Sequence, residues 1–459
     1  MHKPELTDTI AAIATSCGES GIGIVRLSGK GALKIADRIF VSKDKKKPSE
    51  FKTYTVHYGW IAAKEIIDEV LLTVMRAPKS YTREDVVEIN CHGGLSSLRR
   101  VMDLVLEDGC RLAEPGEFTR RAFLNGRIDL AQAEAVLDII RAKTDAALKI
   151  GVEQLKGRLS VEINKIREIL LGALSRIEAE IDFPEEETGR PQAGVILKEL
   201  ALASEELQEI LAASKRARIF REGIQVVICG KPNTGKSSLL NALLKRERSI
   251  VTPIAGTTRD TIEEELDIKG IPARVIDTAG ILKPRGLIEK KAVSRSKSFI
   301  EAADLIILLF DGSKKLSSQD RLLMSRLKAR PVIAVINKID LKQKIKRDEI
   351  TAKFARFIEI SAKKARNIHL LEEAITNFVY NGRVIPAETV MVGNLRHILA
   401  IKEAAGFIAQ AQGSLRNKLS PEFVAEDLKK AISQLDNILG RHFLEDLLDK
   451  IFSDFCIGK

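Results

Sequence analysis

The stretch that most constrains this chain is residues 230–237, which read Gly-Lys-Pro-Asn-Thr-Gly-Lys-Ser. They match G-x-x-x-x-G-K-[ST], the pattern of a phosphate-binding P-loop. The apolar run 224–229 before them predicts a buried strand, and the run 238–244 after them predicts a helix. In this order the loop amides and the positive end of the helix dipole face phosphate oxygens. The alternative is a glycine turn that binds nothing, and three motifs further along the chain argue against it.

The residues of this loop have distinct predicted roles. Gly230 and Gly235 let the backbone turn so that successive N–H groups point at phosphate oxygens. Lys236 is predicted to reach the β- and γ-phosphates, and Ser237 is predicted to hold Mg²⁺. The full set predicted to contact the nucleotide here is Gly230, Asn233, Thr234, Gly235, Lys236, Ser237 and Ser238.

The first downstream motif is Asp277-Thr-Ala-Gly280, at the end of a strand predicted over 271–276. It matches the D-x-x-G element of GTPases, in which the aspartate lies in the Mg²⁺ shell and the glycine amide contacts the γ-phosphate. Two continuous apolar runs, 305–310 and 332–336, are typical of parallel strands covered on both faces.

The second of these runs ends in the N-K-x-D motif Asn337-Lys338-Ile-Asp340, which predicts selection of guanine. The Asp340 carboxylate would accept hydrogen bonds from N1 and N2 of guanine. Adenine lacks that pair of donors and would leave a buried charge unpaired, which is costly. Ser361 and Ala362 follow a strand predicted over 357–360 and resemble the last guanine-contacting element. The four elements in this order predict a Ras-like GTPase domain.

Two details of this domain are unusual. The residue after Gly280 is Ile281, whereas Ras-like GTPases have a glutamine there that orients the attacking water. The polar residue that orients the water must therefore lie elsewhere in the chain, or hydrolysis must be very slow. Asn233 and the loop 252–260 could also bind a monovalent cation against the phosphates, and its charge would replace that of an arginine finger. On the residues alone, Asn233 is equally well explained as a turn residue.

Composition sets the broad class. The 459 residues predict two to four domains, and no apolar run is long enough to span a membrane. The N-terminus lacks an apolar signal core, so we expect a cytoplasmic protein. Lys and Arg number 74 against 63 Asp and Glu, giving a charge of +11. This excess fits either a polyanionic partner such as nucleic acid or a solvated basic surface. The five scattered cysteines predict neither a disulfide framework nor a zinc site.

Hydrophobic periodicity divides the chain into four segments. Residues 1–120 predict an α/β domain, and helical periodicity runs through 121–215. The GTPase domain occupies 216–380, and helical periodicity returns in 381–459. One helical domain interrupted by an inserted GTPase domain explains this order, and two separate helical domains are the alternative. The predicted fold class is therefore a multidomain α/β and all-α protein.

With these residues in place, the chain resembles the MnmE (TrmE) family of tRNA-modification GTPases over essentially its whole length. The resemblance rests on motifs outside the P-loop as well as on the GTPase elements. These motifs are Asp8-Thr-Ile10, residues 21–29 (Gly-Ile-Gly-Ile-Val-Arg-Leu-Ser-Gly), Cys91-His-Gly-Gly94, residues 116–130 and the ending Phe455-Cys-Ile-Gly-Lys459.

For the ends of the chain, the resemblance implies a one-carbon chemistry. The N-terminal domain would form a constitutive homodimer and bind a tetrahydrofolate one-carbon derivative at the dimer interface. Cys456 would take part in the modification chemistry, with a frayed terminus as the alternative. The residues implied to bind the folate are Arg26, Arg120, Arg121 and Asn125.

For the GTPase domain, the resemblance implies two metal sites and a catalytic acid. Thr258 would join Ser237 on Mg²⁺, and the GTPase domains would dimerise through their nucleotide faces with K⁺ and GTP bound. Glu289, twelve residues after Asp277, would take the role that Ile281 cannot, although without the family a surface glutamate is the simpler interpretation. The implied K⁺ ligands are Asn233, Thr252, Ile254 and Thr257.

The function that follows from the resemblance is a K⁺-activated GTPase that modifies C5 of the wobble uridine of tRNA. The product would carry a carboxymethylaminomethyl or aminomethyl group, and the partner would be the flavoprotein MnmG, which carries the FAD. One alternative is a GTPase that acts as a ribosome- or RNA-assembly factor. Another is a scaffold whose nucleotide state only sets its dimerisation.

Overall fold

The structure is a computed structural model that describes residues 8–16, 18–182, 193–246, 263–277, 298–380, 390–442 and 445–459. Its contacts group the chain into two units. The first unit comprises the residues up to Leu137, Gln154–Val161 and Ser433–Lys459. The second comprises Asp138–Glu153 and Glu162–Ile432. No helix in the described ranges is long and apolar enough to cross a membrane.

The first unit is built on a seven-stranded sheet with the order β3-β4-β5-β6-β2-β1-β7. Neighbouring strands are antiparallel except β1 and β7, which are parallel. The strands are β1 (Ile10–Ile13), β2 (Gly23–Ser28), β3 (Phe40–Ser42), β4 (Thr55–Ala62), β5 (Ile66–Met75), β6 (Val86–Cys91) and β7 (Arg111–Leu112). Three helices accompany them, α1 (Ala32–Ile39), α2 (Leu95–Glu107) and α3 (Glu117–Leu124).

Side chains alternate between the two faces of this sheet, as the two-residue strand period requires. Val25 of β2 and Ile89 of β6 pair across the strands and are fully buried in a core that also contains Leu98 and Val101 of α2. Arg26 and Glu88 are the next cross-strand pair and therefore lie on the opposite face. The N-terminal segment is thus the α/β domain that the sequence predicts.

Four helices follow, and their apolar faces agree with the predicted helical periodicity. They are α4 (Leu130–Arg141), α5 (Asp145–Leu155), α6 (Arg158–Asp182) and α7 (Ala193–Glu222). In α6 the residues Ile166, Leu170 and Ile177 are at most 1% exposed, because they recur at helical spacing on one face. The predicted break between helices follows the end of α6, and residues 183–192 lie outside the described ranges.

The second unit contains a six-stranded sheet with the order β13-β12-β11-β8-β10-β9. All neighbouring strands are parallel except β9, which is antiparallel to β10. Every residue of β11 is buried, so the predicted covering of both faces is confirmed. The strands are β8 (Ile224–Cys229), β9 (Glu263–Ile268), β10 (Ile271–Asp277), β11 (Leu305–Asp311), β12 (Val332–Asn337) and β13 (Phe357–Glu359). The helices are α8 (Lys236–Arg246), α9 (Ser318–Leu327), α10 (Asp348–Thr351) and α11 (Ile368–Tyr380).

Helices return after this sheet as α12 (Leu395–Arg416), α13 (Pro421–Leu439) and α14 (Glu445–Ser453). α12 packs along α7, although the whole six-stranded sheet separates them in sequence. A helix before the sheet therefore packs on a helix after it. This is the arrangement expected for a helical domain that an inserted GTPase domain interrupts. The bounds of the four segments predicted from the sequence, 1–120, 121–215, 216–380 and 381–459, stay predictions.

Candidate nucleotide site

The predicted P-loop connects β8 to α8 and depends on its two outer glycines. Gly230 has φ of 151° and Gly235 has φ of 98°, conformations that residues with a side chain rarely adopt. A Cβ atom on Gly235 would lie 2.3 Å from Nδ2 of Asn337, and one on Gly230 would lie 2.4 Å from the carbonyl oxygen of Leu309. The glycines therefore let the loop pack directly against the ends of β11 and β12.

Lys236 is the first residue of α8 and is almost completely buried. Its Nζ donates hydrogen bonds of 2.9 Å to the carbonyl oxygens of Gly230 and Lys231. Burial lowers the pKa of this ammonium group, and the nearby Asp277 carboxylate opposes the change. A phosphate at the loop would supply the negative charge that favours the protonated form.

Ser237 and Asp277 come together at the base of the loop. The Ser237 hydroxyl donates a 2.8 Å hydrogen bond to Oδ2 of Asp277, which is buried at the end of β10. A hydroxyl and a carboxylate are the hard oxygen ligands that Mg²⁺ prefers. The two predicted Mg²⁺-shell residues of the described chain are therefore adjacent. Ser238, the next residue, is exposed on α8.

The guanine motif is tied to the P-loop by its asparagine. Nδ2 of Asn337 donates to the carbonyl oxygen of Thr234 at 2.8 Å, and its Oδ1 accepts from the Ala362 amide at 2.9 Å. One buried side chain thus joins the P-loop and the Ser361-Ala362 element.

Asp340 carries the predicted guanine contact. Its Oδ1 accepts a 2.6 Å hydrogen bond from the Ser361 hydroxyl, and this bond is the main reason that its pKa lies below the ordinary value. The carboxylate is therefore ionised at neutral pH and can accept two hydrogen bonds from a guanine edge.

Three charged residues of the site, Lys231, Asp311 and Asp320, escaped the sequence analysis. Lys231 in the P-loop pairs with Asp320 of α9 at 2.6 Å, and Asp311 pairs with Lys338 at the same distance. Asp311 ends β11 beside the end of β12, where Asn337 and Lys338 lie. The carboxyl ends of neighbouring parallel strands lie at the same edge of a sheet. The position of Asp311 at the end of β11 was therefore a usable signal that it belongs to this site.

Several predicted site residues lie outside the described ranges, so nothing is said of their placement. They include the D-x-x-G glycine, the second Mg²⁺ ligand, three K⁺ ligands and the catalytic acid. These residues are Gly280, Thr258, Thr252, Ile254, Thr257 and Glu289.

The residues implied to bind folate all contact other residues of the first unit. Arg26 donates from Nε to Glu88 at 2.7 Å and from Nη1 to the carbonyl oxygen of Gly458 at 3.1 Å. Arg120 pairs with Asp449 at 2.9 Å. The side-chain amide of Asn125 donates to the carbonyl oxygen of Thr82 at 2.7 Å.

Arg121 has the most enclosed position of the four. It is fully buried, and its guanidinium contacts the carboxylates of Asp8, Glu84 and Glu117. The distances are 2.7 Å to Asp8, 3.2 Å to Glu84 and 2.9 Å to Glu117. Its guanidinium is thus engaged within the fold, and any effect of Arg121 on a ligand passes through these neighbours.

The C-terminal residues are anchored in the first unit rather than frayed. The Phe118 amide donates to the carbonyl oxygen of Lys459 at 3.1 Å. Gly458 has φ of 92°, and a Cβ atom there would lie 2.6 Å from the carbonyl oxygen of Ile13. Cys456 itself is exposed, so its thiol is accessible from solvent.

The parallel sheet, the P-loop at its edge and the Asp340 element together define a guanine-nucleotide-binding P-loop GTPase. Two family models match the chain, the MnmE helical domain over residues 130–456 and the GTP-binding protein TrmE N-terminus over residues 9–127. The tRNA modification GTPase MnmE of Desulforamulus reducens is 46% identical over 99% of this chain and 100% of its own length. That of Alkaliphilus oremlandii is 44% identical over the same shares. The chain belongs to the MnmE family of tRNA-modification GTPases and is a GTP hydrolase that acts in tRNA modification.

Solved GTPase structures are similar to part of the chain. Aquifex aeolicus Era bound to GDP and aluminium fluoride is 31% identical, with a TM-score of 0.29, and covers 40% of this chain and 66% of its own. The G domain of the T. maritima FeoB iron transporter is 28% identical, with a TM-score of 0.27, over 34% of this chain and 98% of its own.

Proposed function

We propose that this chain is a K⁺-activated GTPase that works with the flavoprotein MnmG on C5 of the tRNA wobble uridine. The group installed would be carboxymethylaminomethyl or aminomethyl, and the FAD would reside on the partner. The observation that carries the proposal is the assembled P-loop and guanine motif within a chain that matches tRNA-modification GTPases end to end. The reaction would take place in the cytoplasm, where tRNA is available.

The test of this proposal separates hydrolysis from modification. Removal of residues 456–459 should abolish wobble-uridine modification in a reaction with MnmG and leave GTP turnover unchanged, because the nucleotide site lies in the second unit. Modified nucleosides are measured by mass spectrometry of digested tRNA. An unchanged nucleoside profile would refute the modification role and favour an RNA-assembly factor.

Mg²⁺ would be held by the Ser237 hydroxyl together with Thr258 and, through the metal shell, Asp277. When bound, the ion neutralises charge on the β- and γ-phosphates. The 2.8 Å contact between Ser237 and Asp277 supports this assignment, since it keeps both oxygen donors beside the P-loop.

K⁺ would be bound by Asn233 and the loop that contains Thr252, Ile254 and Thr257. Asn233 has φ of 64°, a left-handed conformation that asparagine tolerates, so the turn interpretation explains its backbone. Its side chain is exposed and makes no hydrogen bond to any residue in the described ranges. The amide oxygen is therefore available to a cation, which supports the second role.

Glu289 would orient or activate the attacking water as the γ-phosphate is transferred to it. The test is Glu289→Ala, which should lower GTP turnover about 100-fold or more, as removal of a general acid or base does, without loss of GTP binding. Asp348→Ala is the matched control, because Asp348 is an exposed carboxylate of the same domain. Wild-type turnover in the Glu289 variant would end this assignment.

A homodimer through the N-terminal domain is supported by an exposed apolar sheet face. Val41 of β3, Val56 and Tyr58 of β4, and Leu71 of β5 are 41–59% exposed, and Tyr58 pairs directly with Leu71 across the strands. Exposed apolar patches of this kind mark interaction surfaces. Val56→Asp should produce monomers in sedimentation experiments, and a variant that stays dimeric would place the interface elsewhere.

The GTPase domains would also associate through their nucleotide faces with K⁺ and GTP bound.

A tetrahydrofolate one-carbon derivative would bind near Arg26, Arg120 and Asn125, with Arg121 holding the surrounding carboxylates. The hydrogen bond from Arg26 to Gly458 supports this location, because it joins a residue implied to bind folate to the chain end that carries Cys456. Arg26→Gln should weaken tetrahydrofolate binding in calorimetry, whereas Arg99→Gln, an exposed arginine on α2, should not. Equal binding by both variants would exclude Arg26.

A further inference from the structure

A cavity of about 460 Å³ opens in the first unit beyond the end of β5. Three cations line it, Lys79, Arg83 and Arg127, together with Tyr54 and Tyr81. Lys79, Arg83 and Arg127 are all exposed, and no carboxylate is among the lining residues. The cavity therefore concentrates positive charge at a concave surface.

These three cations have no acidic partner within the described part of the chain. Arg127 lies over the Tyr81 ring at 4.7 Å from its centroid, and Arg83 donates to the carbonyl oxygen of Asn125 at 3.0 Å. Most other arginines of the first unit behave differently. Arg26, Arg111, Arg120 and Arg121 each pair with a carboxylate. The cavity thus holds uncompensated charge in a unit where most guanidinium groups are neutralised.

Two tyrosines lie beside this charge. Tyr81 is anchored by a 2.9 Å hydrogen bond between its hydroxyl and Oγ1 of Thr119. Tyr54 is 65% exposed and has φ of 60°, and Arg83 has the same φ. Left-handed conformations are uncommon for residues with a side chain and occur disproportionately at functional sites. Tyr54 is thus an exposed aromatic residue that lines the same cavity as the three cations.

We propose that this cavity binds one unstacked nucleotide of the RNA substrate, with the phosphate on Lys79, Arg83 and Arg127 and the base on Tyr54. Cations that contact a phosphodiester and an aromatic ring that stacks on a base are the usual components of single-stranded RNA recognition. The ligand is RNA because this enzyme acts in tRNA modification. The inference rests on the proposed direct action on tRNA and adds the place where the chain contacts it.

The charge arm of the test uses the full chain and labelled tRNA in a salt series. The variant K79Q/R83G/R127Q removes three charges, and glycine at position 83 adopts the left-handed conformation without strain. A single-strand phosphate contact contributes about 0.7 units of salt slope, and the cavity would hold one phosphate, so the slope should fall by about 0.7. Affinity at ~0.1 M salt should then fall about 5-fold. The matched control R38Q/R99Q/R100Q removes three exposed arginines of the same unit and should retain near wild-type affinity.

The stacking arm uses Tyr54. Tyr54→Asn keeps a residue that tolerates the left-handed backbone and removes the ring, so tRNA affinity should fall at least 5-fold. Tyr54→Phe should restore it, because only the ring face is needed. Photocrosslinking to tRNA that contains 4-thiouridine should label the peptide with Tyr54 in the wild-type protein.

Four results would overturn the inference. Equal losses in the cavity variant and the matched control would show an effect of net charge alone. Unchanged binding by both cavity variants, in a protein that still modifies tRNA, would exclude this cavity and leave the proposed function intact. Loss of the crosslink when tetrahydrofolate is added at a constant tRNA concentration would assign the cavity to the one-carbon donor. A wild-type chain that neither binds nor modifies tRNA would refute both the inference and the proposed function.

Discussion

Asp311 and Lys338 form an ion pair that links the guanine motif to the P-loop. Nζ of Lys338 lies 2.6 Å from Oδ2 of Asp311 and donates to the carbonyl oxygen of Asn233 at 2.7 Å. Burial opposes ionisation of Asp311, but hydrogen bonds from Lys338 and Ser313 outweigh it and lower its pKa. The pair therefore fixes Lys338 over the residue that we propose as a K⁺ ligand.

Replacement of Asp311 should weaken nucleotide binding. Asp311→Asn removes the charge that holds Lys338, and a hydrogen bond to a charged group contributes about 1.5–3 kcal/mol. We expect GDP dissociation to accelerate about 10- to 100-fold in stopped-flow experiments with a fluorescent nucleotide. Asp348→Asn, on the exposed surface of the same domain, should not change it. An unchanged dissociation rate in the Asp311 variant would show that Lys338 is positioned without this pair.

Asp340→Asn should change the base that the site selects. Xanthine carries a carbonyl where guanine carries the N2 amino group, so an amide donor at position 340 complements xanthine and mismatches guanine. We expect hydrolysis to favour XTP over GTP by about 100-fold, since an unpaired polar group in a binding site costs about 1–3 kcal/mol. Retained preference for GTP would show that another residue reads the base.

The ionic cluster around Arg121 should make the first unit sensitive to acid. Burial opposes ionisation of Glu117, but hydrogen bonds from Arg111, the Glu114 amide and Arg121 outweigh it and hold its pKa below 4.5. The unfolded chain then binds protons more readily than the folded chain. Stability is therefore present above about pH 4.5 and is lost as the pH falls further.

Glu117→Gln tests this dependence. At neutral pH the free energy of unfolding of the variant should be about 3 kcal/mol lower than that of the wild type, because Arg121 then lacks one of its buried carboxylate partners. The difference from wild type should shrink below pH 4.5. Urea unfolding followed by fluorescence of Trp60, the single tryptophan, reports on the first unit. Glu107→Gln is an exposed control, and a difference that is constant with pH would contradict the account.

Gly458→Ala should disconnect the chain end from the N-terminal sheet. The added Cβ atom would lie 2.6 Å from the carbonyl oxygen of Ile13, and φ of 92° disfavours alanine. We expect wobble-uridine modification to fall at least 10-fold, with unchanged GTP turnover and faster alkylation of Cys456. Ile457→Ala, at an exposed neighbouring position, is the control. Normal modification by the glycine variant would show that anchoring of the tail is not needed.

The nucleotide-binding sheet was largely predictable, because its central strands are continuous apolar runs that end in recognisable motifs. The predicted strand 224–229 coincides with β8, and the runs at 305–310 and 332–336 each extend by one residue. β9 was not predicted, because it begins Glu-Glu-Glu and only alternate residues such as Leu266 and Ile268 are buried. An edge strand of this kind carries little apolar signal.

The contacts of the arginines were not predictable from spacing. Arg121 gathers carboxylates from Asp8, Glu84 and Glu117, of which only Glu117 is close in sequence. Charged residues brought together by tertiary folding leave no local pattern, so a motif assigns such an arginine to a ligand as readily as to the fold. Asp311 differs, because its position at the end of β11 was a usable signal that the sequence analysis did not take up.

GTP hydrolysis in KCl and NaCl at equal ionic strength tests the central claim most directly. The account predicts strong stimulation by K⁺ in the wild-type protein. In Asn233→Ala, K⁺ stimulation should be lost while GTP affinity stays nearly the same, because the backbone carbonyl that Lys338 contacts remains. Equal wild-type rates in the two salts, or an Asn233 variant that K⁺ still stimulates fully, would contradict the account.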